Sequence, residues 1–577
     1  MRTQAPTPKL TGTAYVLILV AVTGLVYANT LMNGFTVDDP FTYSQNNFIK
    51  DLRNLPHLFT TQYFQYSNEA SYRPVCTLTY FADWALWRTW SGGPHLTNIF
   101  LYVCTVLVLF GFYSRLTRSA QAAFLGAALF ALHPVHSEVV NNISFREDLL
   151  VCLFLPTSWL CYRRSRQGKS WLWMIGAWTL YMAGAFSKEL AIIFPVLVVL
   201  IEWHDMSPGE PVRERSRLWY LGGLAFLTLL FIVIRFSWMN FPLEGQVARL
   251  GGSIAGTLIA DITIQARYLL LFFFPIKLRA LYPESFYALQ IDLSLLISTA
   301  IFVLLGILGW RHRRQKTVIV GWAWWFISMA PVANIYPLYN PMAERYLLWP
   351  SIGLCLWAGW GLDTLLKTRL RVPVVALSSF AALVMATTVV MRNPVWRNDV
   401  TLWSDTAESA PDNPMALANL AAAYYQQGEF NETITHAEKA LELHEGGAGP
   451  LEPAPSYLAL GSAYFMKKEL DRAIRNFHKA EQLLPVRFDI DAAVFRNLGL
   501  AYDAKNDIQR ALTYYLEAKE LDPFSDDLWR KIAFCRLRLG DSSQAARDWQ
   551  RAMEINATLP SFAEIERAYQ MSVSGKQ

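Results

Sequence analysis

LGSAYFMKKELDRAIRNFHKAEQLLP, Leu460 to Pro485, recurs as LGLAYDAKNDIQRALTYYLEAKELDP, Leu498 to Pro523. Leu460, Gly461, Tyr464, Ala473, Phe477, Ala480 and Pro485 return as Leu498, Gly499, Tyr502, Ala511, Tyr515, Ala518 and Pro523, while the charged positions between them drift. Weaker copies flank the two: Leu420, Ala421, Tyr424, Gly428 and Ala440 before, and Ile532, Ala533, Gly540, Ala545, Trp549 and Ala552 after. The small residues let paired helices approach closely, the ring fills the gap between them, and the proline ends the second helix. Such pairs stack into a short solenoid with a concave groove.

The spacing matches the tetratricopeptide consensus position for position. Repeats of this kind bind extended peptides or partner helices, so the groove is expected to hold an acceptor or partner, the alternative being that the array only stiffens the protein. The insertion HEGGAGPLEPAP, residues 444–455, breaks the spacing between the first two copies and reads as a loop.

Working outward, nearly all long apolar runs of the 577-residue chain lie before Met391, and the remainder is charged and helix-forming. With 53% hydrophobic residues and 21 Trp, the first part has the composition and boundary aromatics of a multi-span protein. Crossings are expected near 12–31, 95–114, 120–134, 148–162, 171–187, 189–204, 218–238, 293–310, 317–334, 346–365 and 372–391, about eleven in all. Arg115 and Arg118, Arg163 to Lys169, Arg213 to Arg217, Arg311 to Lys316, and Lys367 to Arg371 fall at every second connection. The positive-inside rule makes those loops cytoplasmic. The N-terminus is then inside, while the loop 33–94 and everything after Met391 are extracytoplasmic. Residues 253–274 would upset this alternation by crossing, and Asp261 and Arg267 would be costly facing lipid, so the stretch is read as re-entrant or interfacial.

The net charge of +5, spread over loops, argues against a nucleic-acid footprint. Six cysteines have neither disulfide nor metal spacing. No Walker-type phosphate loop and no GxGxxG after a strand occurs, which favours a lipid-borne activated donor over a nucleotide-borne one.

In NGFTVDDPFTYSQNN, Asn33 to Asn47, Asp38 and Asp39 directly follow the first crossing. An Asp-Asp-Pro string also serves as a turn or helix cap. At a membrane cavity it can instead form a site, one carboxylate taking a proton from an incoming hydroxyl while its neighbour steadies it or holds a divalent cation. The sequence does not require that cation. In LHPVHSEVVNNISFREDLL, Leu132 to Leu150, one helical turn could present His133, His136 and Glu138 to a metal, with the Pro134 turn as the structural alternative. Arg146, followed by Glu147 and Asp148, stands at a depth where it can reach a lipid phosphate. Arg73 in SYRPVCTL, Lys188 and Glu189 in FSKEL, and Glu344 with Arg345 in NPMAERYLLWP are each readable singly as anchors or internal ion pairs. The topology nevertheless brings Asp38, Arg146, Lys188 and Arg345 to one membrane face, where acids and bases can share a cavity.

The strings DD, YRP, HLTN, HPVHSE, SKE and AERYLLWPSIG, in that order and ahead of the repeats, resemble the transmembrane and tetratricopeptide-repeat-containing proteins. These are similar to the protein O-mannosyltransferases and other membrane glycosyltransferases of the GT-C architecture. The resemblance implies an all-α fold: a polytopic GT-C-type catalytic bundle over 1–391, a linker over 392–412 and a tetratricopeptide-repeat solenoid over 413–577. It implies inverting transfer of mannose or another hexose from a polyprenyl-phosphate carrier to Ser or Thr of a protein. The active site and the repeats would be periplasmic in a bacterial inner membrane, or lumenal in the endoplasmic reticulum. Asp38 matches the first acid of the family's loop motif and becomes the candidate base, with Asp39 as its partner. Arg73, Arg146, Lys188 and Arg345 become the lipid-phosphate or donor side, supported by His133, His136, Glu138, Asp148, Glu189 and Glu344. At Phe145 to Asp148 the chain reads FRED where the family has a glycine before the arginine.

Two other classes compete. A transporter or flippase also gathers charges near the membrane, but no internal repeat relates the halves of the apolar region. A membrane-anchored repeat adaptor needs fewer spans than are expected here.

Overall fold

The computed structural model describes residues 11–61, 63–64, 71–166, 171–205, 214–239, 249–283, 293–311, 313–445, 453–484, 488–523, 525–556 and 559–574. Pro485 and residues 446–452 of the insertion lie outside them. Every regular element among the described residues is helical. Contacts divide the chain into two units, one ending at Asp405 and the other running from Thr406.

In the first unit the main helices are α1 (Gly12–Tyr27), α2 (Pro74–Trp87), α3 (Gly92–Thr117), α4 (Ala120–Leu132), α5 (Ser137–Asn141), α6 (Arg146–Ser165) and α7 (Leu172–Ala185). They continue as α8 (Phe194–Asp205), α9 (Glu214–Val233), α10 (Ile254–Phe273), α11 (Leu293–Arg311), α12 (Lys316–Met329), α13 (Leu348–Leu365) and α14 (Arg371–Arg392). Among the described residues five helical stretches are long and apolar enough to cross a membrane: Gly12–Met32, Gly92–Thr117, Ser216–Trp238, Ile254–Phe273 and Arg371–Arg397. The pair Ala120–Leu132 and Pro134–Asn141, bent by 54°, makes a sixth if it is one span. Of the other expected crossings, those on α7 and α12, each of 14 residues and so about 21 Å long, are short of a hydrocarbon core of about 30 Å, whereas those on α6 and α13 have helices of 20 and 18 residues.

The core is built on close helix contacts. A Cβ on Gly126 of α4 would lie 2.7 Å from the Cys355 carbonyl, and one on Gly359 of α13 would lie 2.5 Å from that of Ala122, so only glycine lets these two helices meet. Where α1 and α14 end, amides bind them to α5. Asn33 donates to Asn141 Oδ1, Asn141 donates to Asn393 Oδ1, both at 2.9 Å, and Asn393 donates to Asn29 Oδ1 at 2.6 Å.

Three features add to the sequence reading. The loop 33–94 contains α2, which carries the buried Asp83. The expected linker 392–412 is helical over Asn393–Arg397 and Asp399–Ser409. Residues 254–273 form one unbroken helix, and segments expected outside flank it: Arg249 donates to Ile335 O at 2.8 Å, Tyr268 accepts from Ala343 N at 3.0 Å, and His133 Nε2 lies 2.8 Å from Phe272 O.

Among the described residues the second unit has four helix pairs: Pro414–Gln427 with Phe430–Glu445, Ala454–Met466 with Leu470–Gln482, Phe488–Ala504 with Ile508–Leu521, and Asp526–Arg538 with Ser542–Ile555. Gly461 faces the Phe477 ring and Gly499 the Tyr515 ring so closely that a Cβ on either would fall 2.5 Å from it. The turn inside each pair passes through left-handed backbone at equivalent positions, Gly428, Lys468, Asn506 and Gly540. Lys505 pairs with Asp471 at 2.6 Å and Arg538 bonds Asp503, which ties successive repeats together.

Candidate functional site

Val37 sets the acid pair. Its φ of 57° lies in left-handed backbone that a β-branched residue enters at a cost of about 1–3 kcal/mol. The Val37 N–H donates to Asp399 Oδ1 at 2.9 Å and helps hold it there. The turn sends Asp38 outward and Asp39 inward: Asp38 is exposed, whereas Asp39 is fully buried. Asp39 Oδ1 accepts from Ser144 N and Ser144 Oγ, both at 2.8 Å, and Oδ2 accepts from Thr36 N at 3.2 Å. Burial pushes its carboxyl up to about 7, against the pull of those hydrogen bonds toward the charged form.

Asp39 therefore latches two loops together. The pair does not fit a cation, since Asp39 spends both oxygens on protein donors. Among the described residues no three His, Cys, Asp or Glu side chains gather as a metal site.

The loop that Asp39 grips leads straight into α6, and its successive residues each engage a different element. Phe145 lies under the Arg345 guanidinium, 4.4 Å from ring centroid to Cζ. Arg146 turns into the core, fully buried, and pairs with Asp83 at 2.6 Å, donates to Asn98 Oδ1 at 2.7 Å and Thr79 Oγ1 at 2.9 Å, and sits over Tyr80. It is a packing cation, out of reach of a lipid phosphate, because its guanidinium is enclosed by protein acceptors. Glu147 and Asp148, in the first turn of α6, face the site and suit the positive end of the helix.

A chain of ion pairs surrounds them. Arg73 meets Glu147 at 2.7 Å and Glu189 at 3.7 Å. Lys188 meets Asp148 at 2.7 Å and Glu147 at 3.4 Å. Arg235 pairs with Glu189 at 3.3 Å. Burial disfavours charge on Lys188, but the attraction of Asp148 and Glu147 outweighs it and raises the ammonium above its ordinary range. Arg345, which also feels Asp148, is held by Glu138 at 2.7 Å through its guanidinium and again at 2.7 Å through its backbone N–H. Arg73, Lys188, Arg235 and Arg345 thus oppose Glu147, Asp148, Glu189 and Glu138. Arg73 is the most open of these cations, its side chain 25% exposed against 15%, 8% and 12% for the others.

The remaining sequence candidates belong to the supporting structure. Glu344 is buried, bonded to Arg279 N and, at 3.1 Å, to Tyr282 Oη, and paired with Arg392 at 3.3 Å; burial lifts its carboxyl to about 7. His133 Nδ1 accepts from Val135 N at 3.4 Å while its Nε2 faces Phe272 O. His136 Nδ1 lies 2.9 Å from Phe130 O and Tyr102 Oη, and its Nε2 lies 3.0 Å from Ser351 Oγ. Both imidazoles are buried with both nitrogens engaged, and Glu138 is committed to Arg345, so this trio does not assemble a metal site.

Sequence reasoning missed Asp83, Ser144, Arg235 and Arg392. Arg235 had a signal, a cation inside an expected crossing. Ser144 had none, since its role depends on where loop 33–47 folds back.

Tetratricopeptide repeat families match residues 413–485 and 494–525. Protein O-mannosyl-transferase F38B6.6 of Caenorhabditis elegans is 24% identical over 450 residues, 75% of this chain and 63% of that protein. Protein O-mannosyl-transferase TMTC3 of Mus musculus is 24% identical over 515 residues, 82% of this chain and 55% of that protein. The same protein of Homo sapiens is 23% identical over 81% of this chain and 55% of its own length. The chain thus spans 55–63% of the length of these relatives. Among solved structures, a crystal structure of MamA matches 28% of this chain and 87% of that one, with 24% identity and a TM-score of 0.24. The chain is a helical membrane protein with tetratricopeptide repeats, similar over 82% of its length to the transmembrane and tetratricopeptide-repeat-containing proteins.

Proposed function

We propose that this protein is a protein O-mannosyltransferase that moves a hexose, mannose in the first instance, from a polyprenyl-phosphate carrier to Ser or Thr hydroxyls on the extracytoplasmic side. The observation that carries this reading is the segment Ser144 to Asp148. It joins the acid-bearing turn, through Asp39, to the partly open cations Arg73, Lys188 and Arg345. The names of the relatives support the same chemistry.

On this reading Asp38 is the base and Asp39 positions it. The acceptor oxygen attacks the sugar C1 from the face opposite the phosphate, and its proton passes to the Asp38 carboxylate. As the new C–O bond forms, the C1–O bond to phosphate breaks, and the electron pair leaves with polyprenyl phosphate. Arg73 and Lys188 stabilise that developing charge, exchanging part of their bonding to Glu147, Asp148 and Glu189 for the phosphate oxygens. Arg345 holds the cluster's other side through Glu138 and Phe145. The repeats present the acceptor protein.

The test is transfer in proteoliposomes from a polyprenyl-phosphate-mannose donor to a Ser/Thr peptide, read as a one-hexose mass gain. Asp38→Asn, shown to be folded by its melting temperature, should lower product formation by about a hundredfold or more. Product at the wild-type rate would overturn the assignment.

A further inference from the structure

Away from the charged cluster, α7 and α9 wall a groove of about 760 Å³ lined by Trp178, Trp219, Gly222, Gly223 and Phe226, among others. Two adjacent glycines make it. A Cβ on Gly223 would fall 2.3 Å from Trp178 Nε1, so Gly223 lets the indole lie against α9. A Cβ on Gly222 would meet nothing within 4 Å, so Gly222 leaves space open. From there Phe226, Leu229, Val233 and Phe236 continue along one face of the helical stretch Ser216–Trp238, exposed by 66%, 62%, 50% and 55%.

Both walls lead to the charged cluster. Lys188 and Glu189 follow α7, and Arg235, beside Phe236, pairs with Glu189 at 3.3 Å. Gly222 lies about 20 Å of helix rise from Arg235. The hydrocarbon half-thickness is about 15 Å, so an ordinary acyl chain anchored at the level of the cluster reaches the Phe226 end of the groove but ends short of Gly222. A longer chain, with an anionic head among Arg73, Lys188 and Arg235, reaches it.

We infer that the stripe and groove seat the polyprenyl chain of the donor, with its distal isoprene units against Trp178 and Gly222. This inference rests on the proposed polyprenyl-phosphate dependence. It is tested on the full chain in nanodiscs with two readouts. The first is labelling by an undecaprenyl phosphate that bears a diazirine at its distal end. Cross-links should fall on residues 218–227, be displaced by undecaprenyl phosphate and not by phosphatidylglycerol, and be lost in Gly222→Leu. The second is transfer from undecaprenyl-phosphate-mannose and from its short citronellyl counterpart. Gly222→Leu should lower kcat/KM for the long donor on the order of tenfold, mostly through KM, a loss equivalent to about two methylene contacts. Transfer from the short donor should stay at the wild-type rate.

Cross-links elsewhere, displacement by phosphatidylglycerol, or equal effects on both donors would overturn the groove assignment. Specific labelling of the groove without transfer from either donor would support the chain seat and sink the transferase reading instead.

Discussion

Asp38 and Asp39 are neighbours with opposite surroundings because Val37 adopts left-handed backbone between two anchors. Asp38→Asn is expected to cut transfer by about a hundredfold or more at unchanged melting temperature, as for loss of a general base. Asp39→Ala strands the Ser144 and Thr36 donors and should cost about 1–3 kcal/mol, read by thermal unfolding. The pH dependence has a definite sign. Asp39 titrates near 3.8 when unfolded and about 7 when folded. The folded chain holds the proton more tightly, so its contribution to stability is full below about 4 and is lost as pH rises through 7. Asp39→Asn keeps a neutral group, so the fall in melting temperature between pH 4 and 7 should flatten, leaving the part due to Glu344; an unchanged slope would refute this. The acid pair was legible in the sequence, but which member faces out was not, since that depends on one backbone torsion and on Ser144 in a distant loop. Arg146 was misassigned for a related reason: depth along the chain does not reveal that Asp83, in an unexpected helix, claims its guanidinium.

Among the elements, the repeats were the most legible, because their pattern is local and each small or aromatic position answers a contact within one helix pair. Lys468 occupies left-handed backbone where two sister repeats carry glycine. Lys468→Gly should therefore raise the stability of its repeat by about 0.5–1 kcal/mol, the left-handed penalty removed less the entropy that glycine adds. Gly461→Ala drives a methyl into the Phe477 ring and should cost about 1–3 kcal/mol. Both are read from the unfolding transition that differs from wild type. The membrane helices were less legible, because hydropathy marks apolar runs without saying which are straight and long. The stretch 120–141 shows why: its apolar run is bent at Pro134, and the piece beyond the bend carries Glu138 to Arg345.

For the molecule as a whole, alternating basic loops require α10 not to cross, although its 20 residues would suffice. We propose that the loops prevail, and its contacts support this. The irregular segment Ile335 to Ala343 runs from the Arg249 end of the helix to Tyr268, and irregular backbone is not stable against hydrocarbon. The expectation is an α10 lying along the extracytoplasmic surface. In a chain stripped of its native cysteines, Ser253→Cys and Phe274→Cys should both react with an impermeant thiol reagent from that side. Reaction of only one would show a crossing and reverse every later loop.

The segment Ser144 to Asp148 also governs how the gene can change in length. Each of its residues is claimed by a separate neighbour in turn, and α6 begins within it. A codon gained or lost here would rotate all downstream side chains by about 100° and swap every partner at once. A single substitution at these positions therefore disturbs one partner, whereas a change in the spacing between the acid latch and the helix, which acts as a ruler, disturbs them together.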